Sequence, residues 1–226
     1  MKKLNLVIGL AAALGAGAAF AAGSVKGTIS YTGAPVKAEM LKRKGDAFCA
    51  KKDFADETVL LSKDGKALAN VMVRIKNAPA GATAPTTPVV VDQQDCMYRP
   101  RVQGAVEGQK IEFKNSDQTM HNVHAFAGTK TLFNAPQQPK AAPMDKEAKA
   151  TDVVKLQCDV HPWMKGYVVY GKTGLFAVSG TDGSFEIKDV PPGKYTIEAW
   201  HEKLGTQTAE VTVENGKPVD PKLSFK

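Results

Sequence analysis

The chain has 226 residues, 43% of them hydrophobic, 7% aromatic and 23% charged, with a formal net charge of +7 and three cysteines. Such a length suits one large or two small domains, each able to bury a core. Basic and acidic residues are mixed along the chain and no Arg/Lys block with interleaved aromatics occurs, which argues against nucleic-acid binding. A mildly basic surface favours encounter with acidic partners.

Residues 1–21 read as a signal peptide. Lys2 and Lys3 form the charged start, Leu4 to Phe20 the apolar stretch, and Ala19-Phe20-Ala21 a small-x-small cleavage site. The stretch is short for a spanning helix, so the expectation is a periplasmic or secreted protein and not an integral membrane protein. Losing Lys2 and Lys3 lowers the formal charge to +5. An odd cysteine count in an exported chain leaves one thiol unpaired. Cys158 is the natural odd one if a metal holds it as a thiolate, which leaves Cys49 and Cys96 for a disulfide. The alternative is two free buried thiols.

Val25 to Tyr31 alternates as an opening strand and ends at Thr32-Gly33-Ala34-Pro35. Lys37 to Asp56 is charged and carries Cys49 in a loop or short helix. Thr58 to Leu61 and Val71 to Ile75 are further strand candidates, and residues 78–88 form a Pro/Ala/Thr connector. Val89 to Val91, Arg101 to Val106 and Lys110 to Lys114 continue the strand pattern. After Asn115-Ser116-Asp117 comes a strand around His121. Residues 128–150, with Gly, Pro, Gln and Lys, read as a long surface excursion. Val154, Leu156 and Cys158 share one face of a strand, and Tyr167 to Tyr170 leaves the intervening loop. Nothing long has a helical period, so the expected fold class is all-β, built of sandwiches.

Cys158-Asp-Val-His161-Pro-Trp-Met164 places a thiolate, an imidazole and a thioether in one short loop, and His121 offers a second imidazole upstream. Two His, one Cys and one Met are the ligand set of a blue-copper electron-transfer site. Zinc could use Cys158 with His residues but has no use for Met164. His121 and His124 are three apart, so on a strand they face opposite sides and only one readily faces the site. No nucleophile-and-base pair or Walker loop accompanies these residues, and four protein ligands leave no open position for substrate. Neither an enzyme nor a small-molecule substrate is expected.

Residues 120–128 (MHNVHAFAG) and 158–170 (CDVHPWMKGYVVY) are similar to the two copper motifs of the amicyanin/plastocyanin cupredoxins. The resemblance covers roughly residues 89–171. It implies a Greek-key β-sandwich holding one type 1 copper ion through His121, Cys158, His161 and Met164. It also implies that Asn122 ties the two ligand loops together, that electrons leave through His161, and that Trp163 borders an apolar docking patch. For Trp163, core filling is the equal alternative. The partners implied are periplasmic electron donors or acceptors, such as a cytochrome c or a redox enzyme. The rival function is copper storage or delivery, or an envelope-associated binding module.

Gly180 to His201, with its Asp182-Gly183 and Pro191-Pro192-Gly193 turns, resembles the carboxypeptidase regulatory-like, transthyretin-like β-sandwich. The expected map is a signal peptide over 1–21, an N-terminal β extension over 22–88, a copper domain over 89–171 and a regulatory-like domain over 172–226. Because residues 25–31 also look like the first strand of a regulatory-like domain, an alternative map inserts the copper segment into a split one.

Overall fold

The computed structural model describes residues 21–78, 85–147 and 152–226. The expected signal peptide lies outside them except for Ala21, as does the middle of the connector. Among the described residues there is no α-helix, only one 3-10 turn at Cys49–Lys51, and no helix long and apolar enough to cross a membrane. The all-β expectation holds.

Three strands precede residue 79: β1 (Gly23–Thr28), β2 (Ser30–Tyr31) and β3 (Met72–Ile75). Nine follow the connector: β4 (Val89–Gln94), β5 (Met97–Arg99), β6 (Val102–Val106), β7 (Lys110–Asn115), β8 (His121–Ala127), β9 (Lys130–Gln137), β10 (Met144–Glu147), β11 (Val153–Gln157) and β12 (Lys165–Gly171). Six complete the chain: β13 (Phe176–Val178), β14 (Ser184–Val190), β15 (Gly193–His201), β16 (Gly205–Val213), β17 (Pro218–Val219) and β18 (Ser224–Phe225).

The middle nine form two sheets, ordered β10-β7-β4-β5 and β6-β12-β11-β8-β9. Their alternating inward residues, among them Val91, Phe113, Val123, Leu156 and Val168, make one buried core. The outer strands form sheets β14-β1-β17 and β13-β3-β15-β16 with a β18-β2 pair. Thus β1 pairs with β14, and β3 lies between β13 and β15, across the whole middle segment. Val25, Val73, Ile187, Ile197 and Phe225 fill this second core.

The expected excursion over 128–150 is instead two strands, β9 and β10, each at the edge of its sheet. Edge strands accommodate charge and proline because one side of their backbone needs no partner. Pro136 and the run Asp145-Lys146-Glu147 therefore masked strands that pairing with β8 and β7 stabilises. Thr58 to Leu61, expected as a strand, makes only the isolated bridge Leu61–Leu68.

The two cores meet through Met72, Val102 and Val169, with Tyr167, Phe176 and Trp200 against them. Gly104 is required there, since a Cβ would lie 2.2 Å from a Phe176 ring carbon. Charges lock the junction. Arg101, just before β6, donates from Nη2 to Glu202 Oε2 at 3.0 Å and from Nε to the other oxygen; the two side chains are 3% and 4% exposed. Arg74 on β3 donates to Glu198 at 2.8 Å and to the Tyr170 carbonyl, and meets Asp152 at 2.6 Å.

Removing one partner of a buried ion pair leaves the other charge unpaired. Glu202→Ala is therefore expected to lower unfolding free energy by ~3–5 kcal/mol in denaturant titration, with Arg101→Met/Glu202→Leu recovering most of it. A loss within the range of an exposed pair, below ~1 kcal/mol, would mean the junction is solvated. His201 supplies a pH test. Burial holds its pKa down at about 4, and its Nδ1 accepts from the Lys203 and Leu204 amides. The unfolded chain, at the ordinary 6.5, binds the extra proton first, so stability is full above 6.5 and falls toward pH 4. His201→Asn, which keeps an acceptor for the amides, should flatten that part of the acid-unfolding curve.

Candidate metal centre

Strand alternation places the first histidine. Along β8, His121, Val123 and Ala125 point inward, each fully buried, while Asn122 and His124 take the other face. His124 is turned away, with Nδ1 2.9 Å from Asp159 Oδ1 and Nε2 3.0 Å from Thr131. As expected from its spacing, it does not join the cluster.

The other donors come from the β11–β12 connection. Cys158 continues the inward face of Val154 and Leu156. A tight loop follows, in which the Met164 amide donates to the His161 carbonyl at 2.9 Å and the Cys158 amide to the Met164 carbonyl at 3.3 Å. The backbone thus closes on itself within the Cys158–Met164 loop, and Cys158, His161 and Met164 are 0%, 2% and 0% exposed.

His121, Cys158 and His161 bring one donor atom each within 4.8 Å of one another. The imidazoles meet Nδ1 to Nδ1 at 2.9 Å, and Cys158 Sγ lies 3.8 Å from His161 Nδ1. Behind each ring stands a carboxylate: Asp117 Oδ2 is 2.9 Å from His121 Nε2, and Asp46 Oδ2 is 3.3 Å from His161 Nε2. An ionised carboxylate accepts and cannot donate. Each carboxylate therefore favours the ring proton on Nε2 and leaves a lone pair on Nδ1. Two such lone pairs at 2.9 Å repel unless a proton or a cation lies with them. Burial works against a charge on His121, but Asp117 and Cys158 raise its pKa above the ordinary value. Burial would likewise raise the Cys158 thiol, yet hydrogen bonds from His121, His161 and the Asn122 backbone bring it from 9.0 to about 6. The pocket is built to hold a thiolate beside positive charge.

A thiolate, two Nδ1 lone pairs and a buried thioether in the same loop match the donor set of a type 1 copper site. Two further clusters, Asp46–Cys49–His161 and Cys96–Asp117–His121, crowd equally close. Their sulfurs are joined as the Cys49–Cys96 disulfide, as the cysteine count suggested, and offer no thiolate.

Asn122 links the two ligand segments. Its Oδ1 accepts from the Asp159 amide at 2.7 Å and sits 3.3 Å from Cys158 Sγ, while Nδ2 donates to Asn134 and Asp159. Trp163 is half-buried, its indole N–H donating to the Cys96 carbonyl at 3.0 Å and its ring 5.1 Å from His161. His161, the expected exit edge, is only 2% exposed. Asp46, in a segment that reads as loop, stands over it.

Asp46 and Asp117 were not identified from sequence. Asp117 could have been found, since it lies four residues before His121 at the turn that feeds β8. It also accepts from the amides of Asp95 and Cys96 at 2.7 Å, stabilising their left-handed conformations in the two-residue β4–β5 hairpin. Nothing in the sequence links Asp46 to a ring so far along the chain.

Residues 172–220 match the family model described as polysaccharide lyase family 4, domain II, a different family from the regulatory-like one resembled by Gly180 to His201. No curated protein matches the chain. Among solved structures it is similar to a novel purple cupredoxin from Nitrosopumilus maritimus, at 21% identity and TM-score 0.33 over 37% of this chain and 99% of that one. It is similar to a mutant of amicyanin in its reduced state, at 19% and 0.35 over 44% and 98%. A third is the Cu-containing nitrite reductase NirK from Thermus scotoductus SA-01, at 20% and 0.35 over 42% of this chain but only 25% of that one. Similarity at this level assigns no function, and the donor set stands on its own geometry.

The metal-free protein gives a direct reading of that geometry. Cys158 is expected to titrate near pH 6 by ultraviolet thiolate absorbance. Because the folded value lies below the unfolded one, the linked stability is full above pH 9 and is lost as pH falls toward 6. Cys158→Ser should remove that dependence. A thiol titrating near 9, its ordinary value, would contradict the electrostatics described.

Proposed function

We propose that this chain is an exported type 1 copper protein that carries single electrons between periplasmic redox partners. The observation that carries the reading is the convergence of Cys158 Sγ with the facing Nδ1 atoms of His121 and His161 in a buried pocket. A copper ion bound there supplies one-electron Cu(II)/Cu(I) chemistry, with sulfur suiting the reduced ion and imidazole both states. The chain's part is rigidity. Three ligands sit on one short self-bonded loop, the fourth on a neighbouring strand, and Asn122 bridges the two. Fixed donors limit rearrangement between oxidation states. Four protein ligands would fill the copper's coordination sphere, so we propose no enzymatic step.

With His161 covered, the ligand loop meets solvent at Asp159, Pro162 and Val160, the last 51% exposed. A cytochrome c or redox enzyme docking over that loop is the partner class we assign. We further propose that the strands of residues 22–78 and 172–226 form one regulatory-like sandwich into which 89–171 is inserted. The β1–β14 and β3–β15 pairings support it.

A storage or delivery role is the second reading, favoured by the enclosure of His161, which suits retention of an ion. Loading the chain with Cu(II) and mixing it with reduced cytochrome c separates the two. Electron carriage predicts reversible uptake of one electron per copper with the metal retained. Passage of copper to an apo-acceptor without cycling would replace it with the storage reading.

A further inference from the structure

We infer that Asp46 is a positioning residue of the metal centre: its carboxylate fixes His161 by Nε2 so that Nδ1 faces Cys158. This rests on the metal-site reading of His121, Cys158 and His161. The segment that carries Asp46 is no part of the strands that supply the ligands, and the residue lies in none of the metal-ligand motifs.

That segment is fastened over the ligand loop at several points. Cys49 is bonded to Cys96 in the β4–β5 hairpin. The buried Arg43 donates to the Asp95 carbonyl, and to the Lys52 carbonyl at 2.9 Å. Lys52 meets the Asp95 carboxylate at 2.6 Å. On the far side the Trp163 indole donates to the Cys96 carbonyl, so the ligand loop itself holds the hairpin that holds the cover.

Within this frame the two oxygens of Asp46 divide their duties. Oδ1 accepts from the amides of Phe48 and Cys49, both at 2.8 Å, which shapes the turn into the 3-10 helix. Oδ2 accepts from Thr119 at 2.9 Å and faces His161 Nε2 at 3.3 Å. One oxygen builds the segment and the other addresses the ring. Thr119 is two residues from His121, so the same oxygen also ties the cover to the start of β8. A metal-ligating histidine is oriented, and its tautomer set, by the group bonded to its other nitrogen. Asp117 does this for His121 from within the sandwich, and Asp46 does it for His161 from outside.

Asp46→Asn separates the two duties. The remaining Oδ1 can still accept from Phe48 and Cys49, but the Nδ2 that replaces Oδ2 is a donor. Facing a donor, His161 Nε2 must become the acceptor, which moves the ring proton to Nδ1 and blocks the metal-binding lone pair. The tautomer is read in the metal-free protein by two-bond proton–nitrogen correlation of the imidazoles, and metal binding by Cu(II) titration against a competing chelator. The expected result is Nε2–H for His161 in the native chain and Nδ1–H in the variant, with Cu(II) affinity lowered ~10–100-fold. Native His161 carrying its proton on Nδ1 would overturn the inference, and that measurement needs no variant. So would an unchanged tautomer in the variant, or a changed tautomer with unchanged affinity. If the native chain shows Nε2–H and the variant Nδ1–H while neither binds copper, Asp46 still positions His161 and the metal reading alone fails.

Discussion

Everything at the centre depends on two imidazole nitrogens held 2.9 Å apart, a contact that needs a proton or a cation between them. With neither nitrogen protonated that contact is unfavourable, and the protein holds it by a carboxylate at the opposite nitrogen of each ring. Packed interiors do not relax easily, so the repulsion is resolved by a proton or a cation and not by movement. The lowered thiol of Cys158 and the raised basicity of His121 are two expressions of the same arrangement.

The rest of the fold serves to keep those anchors still. Asp117 spends its remaining acceptor capacity on the left-handed hairpin at Asp95 and Cys96. Cys96 in turn carries the disulfide that secures the segment of Asp46. The two histidine anchors are thus joined through one hairpin, and a disturbance at that hairpin reaches both histidines. Further out, Arg101 with Glu202, and Arg74 with Asp152 and the Tyr170 carbonyl, fix the middle sandwich against the strands that flank it in sequence. A buried ion pair adds little net stability but penalises every arrangement that separates its members.

How much of this was legible in the sequence varied with the range of the interaction. Alternation along β8 and β11 is local, so the inward positions of His121 and Cys158 and the outward turn of His124 could be read from spacing. The kind of donor each residue offers could be read too, because thiolate, imidazole and thioether chemistry belongs to the residues themselves. Strands β9 and β10 escaped because edge strands carry the charge and proline that elsewhere mean loop. The cover over His161 escaped for a different reason. Asp46 works through a single oxygen on a residue distant in sequence, and long-range placement of that kind leaves no periodicity to detect. The resemblance to small copper proteins, which implied electron exit through His161, gave no sign of a cover over it.

We propose that Cys158 binds copper as a thiolate together with two fixed imidazoles. The most direct measurement is the visible and electron paramagnetic resonance spectrum of the Cu(II)-loaded chain beside its Cys158→Ser variant. Such a site requires an intense thiolate-to-copper absorption with narrow copper hyperfine splitting, both lost in the variant. A colourless protein, or a spectrum indifferent to Cys158, would contradict it and leave a β-scaffold whose buried histidines share a proton.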